Sequence, residues 1–175
     1  MNNMGLLDDK KRTNIAGYII SMWHVEDLMR ANRFDMTLVE ELLIGPMDAD
    51  EHAKADARAV YDTIIKRMKE QGLERQGHLH EVEEVLNELE FLHNSLLRVV
   101  NDKDYNVLFA AAQGDIAALQ HQADEQADGP ITTCFTAIYG VLLLRAQGKA
   151  VSPATTEAEG HFRRLLDALS MHYRQ

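Results

Sequence analysis

The sequence predicts an all-α protein that folds as a single-domain antiparallel bundle of about six long helices and one short helix. Three observations predict this fold class. Apolar residues recur at spacings of three and four along most of the chain. No alternating stretch bounded by turns indicates a strand. Ala, Leu, Glu and Gln are abundant and only 3 of the 175 residues are proline, a composition that favours helices.

Length and composition predict one domain. A chain of 175 residues can bury about two-thirds of the surface that its unfolded state exposes, so it needs no disulfide or metal to stabilise a core. Its content of 46% hydrophobic and 26% charged residues is close to that of ordinary globular domains. We expect one helical domain over residues 1–175, with residues 1–11 as a flexible N-terminal segment.

Seven helices are predicted, each bounded by capping or turn residues. In the third helix Asp48 and Glu51 stand at capping-box spacing. Gly72 ends this helix, and Gly45 with Pro46 ends the short second one. The approximate ranges are 14–33, 36–44, 48–71, 78–100, 105–127, 132–147 and 153 onward.

The later helices differ in how their apolar residues are arranged. The fourth has a regular seam of Val82, Val85, Leu89, Leu92, Leu96 and Val99, which must pack on another helix. In the fifth, Gly114 and Asp115 are candidates for a kink or break. The sixth is apolar nearly all round, so it should be central together with the first. Ser152 followed by Pro153 caps the seventh.

The first helix carries charged residues on a face that is otherwise apolar. At about 100° per residue, Glu26 lies in the middle of this face. Arg30 lies at its margin, four residues further on, where it can pair with Glu26, and Asp27 projects from the flank. The rest of the face consists of Ile15, Ile19, Met22 and Met29.

The sixth helix places Arg145 on an apolar face in the same way. If the long helices alternate in direction, the first, fourth and sixth run parallel, and Glu26 and Arg145 each lie about 18 to 20 Å from their helix starts. The candidate site therefore consists of Glu26, Asp27, Arg30 and Arg145. These residues form either a buried ion network that fixes helix register or a pocket whose arginines bind a carboxylate or phosphate.

The start of the fourth helix carries further candidate ligands. His80, Glu84 and Glu88 are four residues apart, but they project opposite the apolar seam, and the usual metal-binding motifs of helices are absent. A solvated acidic face is expected there, without metal or cofactor. His78 lies on the seam side, where we expect a buried, hydrogen-bonded histidine, and the assumed topology places it far from Glu26.

Charge and cysteine content narrow the classes of function. The net charge of −10 repels phosphate backbones, so nucleic-acid binding is not expected. The most apolar segments are shorter than the roughly 20 residues that cross a bilayer, so no membrane association is expected. The N-terminus does not match a signal peptide, and the single cysteine, Cys134, cannot form an internal disulfide. A reducing cytoplasm is the expected location.

Three segments of the chain resemble a known family: NIAGYIISMWHVEDLMRAN, GHLHEV and CFTAIYGVLLLRAQGKAVSP. Their most specific motifs are W-x-x-E-D-x-x-R from Trp23 to Arg30 and C-F-x-A-x-Y-G-x-L-L-L-R from Cys134 to Arg145. The chain is similar, from about Arg12 to Tyr173, to the bacterial family of the domain of unknown function 4924, found mainly in Bacteroidetes. The resemblance implies a cytoplasmic, all-helical bacterial protein and brings no activity.

Because no catalytic signature is present, two functions remain open. The first is a non-enzymatic protein that acts through protein–protein contacts, for which a homodimer is one form, since the seams of the fourth and seventh helices could form an interface. Its structural sign would be a large exposed apolar patch. The second is a binder of a small anionic ligand, or an enzyme, with its site at Glu26, Arg30 and Arg145. Its sign would be a cavity that reaches these charges.

Overall fold

The computed structural model describes residues 3–123 and 128–174, and these residues form helices and no β-strand. The all-α prediction is confirmed. Two of the helices continue into π-helical turns, α3 through Glu40–Ile44 and α5 through Leu96–Val100. The helices are α1 (Asn3–Thr13), α2 (Ile15–Ala31), α3 (Met36–Val39), α4 (Glu51–Glu70), α5 (His80–Ser95), α6 (Lys103–Gln122), α7 (Pro130–Ala146) and α8 (Pro153–Tyr173).

Most of the helix ends are capped as their sequences indicate. Ser152 caps α8 by accepting a hydrogen bond from the Thr155 N–H at 3.2 Å. The predicted cap of α4 is wrong, because Asp50 rather than Asp48 accepts the Ala53 N–H, at 2.8 Å. Asp48 lies in the preceding turn, five residues before that N–H, whereas a capping side chain reaches two or three residues ahead.

Other boundaries differ from those predicted. The helix α6 passes through Gly114 without a break and begins at Lys103, where Asp102 caps it. The predicted end of this helix, residues 124–127, lies outside the described residues. Within the predicted N-terminal segment 1–11, residues from Asn3 onward belong to α1. The flexibility of that segment stays a prediction.

The chain divides into two compact units, residues 1–83 and 84–175. The expectation of one domain stays a prediction. In the first unit, α1, α2 and α4 pack against one another, and α3 packs on α4. Its core consists mainly of the buried side chains of Ile15, Ile19, Met22, Met29, Val39, Ile44, Val60, Ile64 and Met68.

In the second unit, α6, α7 and α8 pack against one another. Tyr105 contacts His172, and Asp115 lies 3.7 Å from His161, so α6 and α8 run antiparallel. One face of α7, with Ile131, Phe135 and Ile138, is buried, whereas Thr136 and, near the end of the helix, Leu143 and Leu144 are exposed. The core consists mainly of Leu89, Leu96, Tyr105, Ile116, Ile131, Phe135, Ile138, Phe162, Leu165 and Leu169.

The seam predicted along α5 is buried at Val82, Val85, Leu89 and Leu96 and half-buried at Leu92, and it then leaves the core. Val99 is 82% exposed and Val100 is 64% exposed. A strict heptad drifts relative to an α-helix of 3.6 residues per turn, and the π-helical turn that begins at Leu96 turns the following side chains further. Val99 is therefore not part of the buried face, contrary to the prediction.

Candidate functional site

Glu26 lies on the inner face of α2, as the helical phase predicts, and its side chain has no solvent exposure. Its carboxylate binds the segment that joins α4 to α5. Oε1 accepts the backbone N–H of Leu79 at 2.9 Å, and Oε2 lies 2.6 Å from Nδ1 of His78. Because a carboxylate only accepts, Nδ1 carries the proton in this pair.

His78 is a correction to the sequence analysis, which places it far from Glu26. The assumption of strictly alternating long helices is the cause, because His78 belongs to the connection before α5 and this connection folds back onto α2. The His78 ring also stacks on Trp23, with 4.5 Å between ring centroids and 13° between planes. One-third of the His78 side chain is exposed, so one edge of the ring faces solvent.

Arg30 fastens the same connecting segment at a second place. Its Nε donates to the carbonyl of Leu73 at 3.0 Å and its Nη2 donates to the carbonyl of Gly77. Its Nη1 donates to Asp27 at 3.0 Å. The guanidinium thus bonds to Asp27 and to two loop carbonyls rather than to Glu26.

Arg145 belongs to the second unit, where it binds a carboxylate that the sequence analysis did not single out. Its Nη1 and Nη2 donate to Glu159 on α8 at 3.0 and 2.7 Å. Arg163 donates to the same carboxylate through Nε and Nη2, at 2.9 and 2.7 Å. Burial raises the pKa of Glu159, but the bonds from the two arginines outweigh it and hold the pKa below its ordinary value.

Of the four predicted residues, Glu26, Asp27 and Arg30 lie together on α2 and hold one connecting segment. Arg145 has its own partners in the other unit. A role of these residues in ligand binding stays a prediction. Sequence reasoning missed Glu159, although it lies one turn before Phe162 and therefore on the extension of the apolar stripe of α8.

A neutral polar cluster lies inside the second unit. His93 and Tyr105 are both buried, and Nδ1 of His93 lies 2.7 Å from the Tyr105 hydroxyl. Burial lowers the pKa of His93 to about 4, with a smaller contribution from Arg98. Burial also raises the pKa of the nearby Cys134 thiol to about 12. Cys134 is therefore an inert core residue rather than a nucleophile.

An open groove lies on the surface of the second unit, between α6, α7 and α8. It has a volume of about 420 Å³, within the range of ligand and docking pockets. A smaller depression of about 160 Å³ shares Leu119, Thr136 and Ala137 with it and continues toward Thr133. The α7 groove, as we call the two together, is lined mostly by small or apolar side chains. They include Ala118, Leu119, Ala123, Thr136, Ala137, Gly140, Val141, Leu144, Ala154, Ala158 and Phe162.

The two ends of the α7 groove differ in charge. Asp128 lines it just before α7 begins. Glu159 and Asp115 line the other part, where Arg145 and Arg163 both bind Glu159, so these four charges balance. Two of the lining residues, Leu119 and Leu144, are leucines that remain partly exposed.

Among the described residues, no three His, Cys, Asp or Glu side chains lie close enough to hold a metal ion. His80, Glu84 and Glu88 are exposed on α5. In the same part of the chain, no helix combines the length and the hydrophobicity that crossing a membrane requires.

Comparison with known families assigns the chain to a family whose function is unknown. The family model described as a domain of unknown function (DUF4924) matches residues 4–175, essentially the whole chain. No curated protein and no solved structure matches.

Proposed function

The chain belongs to the DUF4924 family, and we propose that it is a non-enzymatic protein that acts through protein–protein contacts, assembled as a homodimer through the α7 groove. The observation that carries this proposal is the groove itself. It is an open, mostly apolar channel whose lining includes the small residues Ala137, Gly140 and Ala158, so a helix of a second chain can approach closely.

Gly140 gives the strongest argument for an occupant. It lies in the interior of α7, where glycine costs about 0.5 to 1 kcal/mol relative to alanine. A Cβ atom added at Gly140 would meet no atom within 4 Å, so the fold of the chain itself does not require glycine there. Close approach of a second backbone would explain why this position has no side chain.

The same face also carries the side chains that could fill such a groove. A twofold interface is self-complementary, because the same surface patch serves both copies. Here the exposed leucines at 119 and 144 line the groove together with Ala137 and Gly140. Leucines of one copy can thus enter the groove of the other. Burial of apolar area gives most of the stability of such interfaces.

The alternative function, binding of a small anion by the arginines, has less support. Arg145 directs both terminal nitrogens at Glu159, and Arg163 adds two more bonds to it. An anion would have to displace a buried carboxylate of the protein. In addition, the α7 groove is lined mainly by apolar atoms, which do not favour an anion.

The proposal includes a location and an origin. A single buried cysteine suits a reducing cytoplasm, and the resemblance to the family suggests a bacterial source. The net charge of −10 is unfavourable for nucleic acid as the partner.

Sedimentation velocity of the full chain, from about 1 μM to 1 mM, tests the proposal, since weak specific association is populated within this range. We expect a dimer whose population rises with concentration. Gly140→Leu should fill the groove and weaken dimerisation by at least about tenfold, roughly 1.4 kcal/mol. A chain that stays monomeric throughout would contradict the proposal.

Gly114→Leu is the matched control. Gly114 lies inside α6, is exposed, and also has no atom within 4 Å of an added Cβ. Both substitutions should raise helix stability, so thermal unfolding should show two folded variants. A dimer that Gly140→Leu leaves unchanged would rule out the α7 groove as its interface.

A further inference from the structure

We infer that the two copies place their α7 helices antiparallel across the α7 groove, so that Arg145 and Lys149 of one copy face Asp128 and Glu90 of the other. The inference rests on the proposed homodimer and adds its register and the residues that select it.

The charges at the two ends of α7 differ in sign. Lys149 is exposed just beyond the C-terminal end, where its N–H donates to the Leu144 carbonyl at 2.9 Å. With Lys149, Arg145 and Arg163 against the carboxylates of Glu159 and of Asp115, which lines the same part of the groove, this end has an excess of one positive charge. At the other end, Asp128 is exposed and Glu90 accepts the Thr132 N–H at 2.8 Å.

These charges lie far enough apart to define a direction. Asp128 and Arg145 are 17 positions apart, which corresponds to about 25 Å along a helix. This separation exceeds the screening length of about 8 Å at physiological salt. Each end therefore acts separately on whatever charge lies opposite to it.

Only the antiparallel arrangement places opposite charges together. Two α7 helices that run parallel in register would set Arg145 against Arg145 and Asp128 against Asp128. If they run antiparallel and cross at Ala137, Arg145 of one copy lies level with Gly129 of the other, next to Asp128. Charges at the rim of an interface select register and partner in this way more than they add affinity.

The geometry of Arg145 suits this role. Two hydrogen bonds to Glu159 fix its guanidinium, and 43% of its side chain remains exposed. A charge held in one place loses little conformational freedom when a second chain approaches. The position of the Arg145 charge is thus fixed within each copy before the two copies associate.

A charge exchange between two variants tests the inference. Asp128→Lys and Lys149→Glu change exposed residues and leave the Arg145–Glu159 pair intact. Each variant alone would place like charges at both ends of its homodimer, so we expect its dissociation constant to rise about tenfold. An equimolar mixture should restore dimers, because both contacts in the heterodimer then join opposite charges.

Native mass spectrometry of the mixture, with one variant carrying a short tag, measures this outcome. The inference predicts that heterodimers dominate over both homodimers. A statistical 1:2:1 distribution, or two variants that dimerise like the wild type, would overturn the antiparallel register. That result leaves the homodimer itself standing, whereas a monomeric wild-type chain contradicts the proposed function.

Discussion

Glu26 lies in the first unit of the molecule and Glu159 in the second, and the partners of the two carboxylates differ. Both are buried carboxylates on the apolar face of a helix. Glu26 binds a histidine ring and a backbone N–H of the segment between α4 and α5. Glu159 binds two arginines carried by helices. A buried carboxylate in this fold thus stabilises either a connecting segment or the contact between two helices.

The surroundings of the two carboxylates also differ. Glu26 is completely buried, and one of its two bonds comes from the main chain. The arginines of Glu159 keep 43% and 47% of their side chains exposed, so solvent screens their charges. Removal of Glu26 should therefore cost more stability than a change at Glu159.

Glu26→Ala gives the largest expected effect. The substitution leaves a cavity and deprives the Leu79 N–H and the His78 ring of their acceptor, so the free energy of unfolding should fall by about 4 kcal/mol. Urea unfolding measures this value. Asp27→Ala is the control on the same helix, because its salt bridge is exposed and should be worth less than about 1 kcal/mol. Equal losses in the two variants would contradict a special role for Glu26.

The buried, neutral pair of His93 and Tyr105 predicts that the stability of the protein depends on pH. Above pH 6.5 the histidine is neutral in both states. Below pH 6.5 the unfolded chain binds a proton, whereas the folded chain does not until about pH 4. Stability should therefore fall as the pH decreases from 6.5, by about 3 kcal/mol at pH 4.

The control for this effect is His93→Gln. Its side chain cannot titrate but can still accept a hydrogen bond from the Tyr105 hydroxyl. Unfolding free energies of both proteins, measured from pH 7 to pH 4, should converge as the pH decreases. A constant difference between them would show that His93 titrates in the same way in both states.

Glu159→Gln should have a smaller effect than either of these, a loss of about 1 to 2 kcal/mol at pH 7, because glutamine keeps one acceptor for two screened arginines. The pKa of Glu159 is lowered in the folded state, so its contribution is complete above its unfolded pKa and disappears as the pH falls through the folded value. The variant should lack this loss below about pH 4.5. A Glu159→Gln protein less stable than Glu26→Ala would reverse the comparison.

Helical periodicity was sufficient to predict the fold class, most helix boundaries and the burial of Glu26. It could not predict the partner of Glu26, because helical phase gives the direction of a side chain but not the path of a connection. His78 could be identified as the partner of Glu26 only from the path of residues 71–79 in the structure. In this segment Gly72 and Gly77 adopt positive φ angles of 69° and 94°, which turn the chain toward α2.

The α7 groove was beyond prediction for a different reason. The apolar character of α7 indicated a helix covered on all sides, but Leu143 and Leu144 are exposed near its end. Composition shows how much apolar surface a helix has, but it does not show whether other helices of the same chain cover that surface. The pairing of Arg145 with Glu159 was accessible in principle, since Glu159 continues the stripe of Phe162, Leu166 and Leu169.

The π-helical turn after Ser95 has a consequence for the comparison of sequences. In an unbroken α-helix, Val100 would have the same phase as Val82, because 18 residues make about five turns. Val82 is fully buried and Val100 is 64% exposed. The π-helical turn therefore acts like one inserted residue. Each side chain after it points in the direction that the preceding residue would have in an unbroken α-helix. A related chain without this turn would align with a one-residue gap in 97–99 and keep Val100 and Asn101 in place.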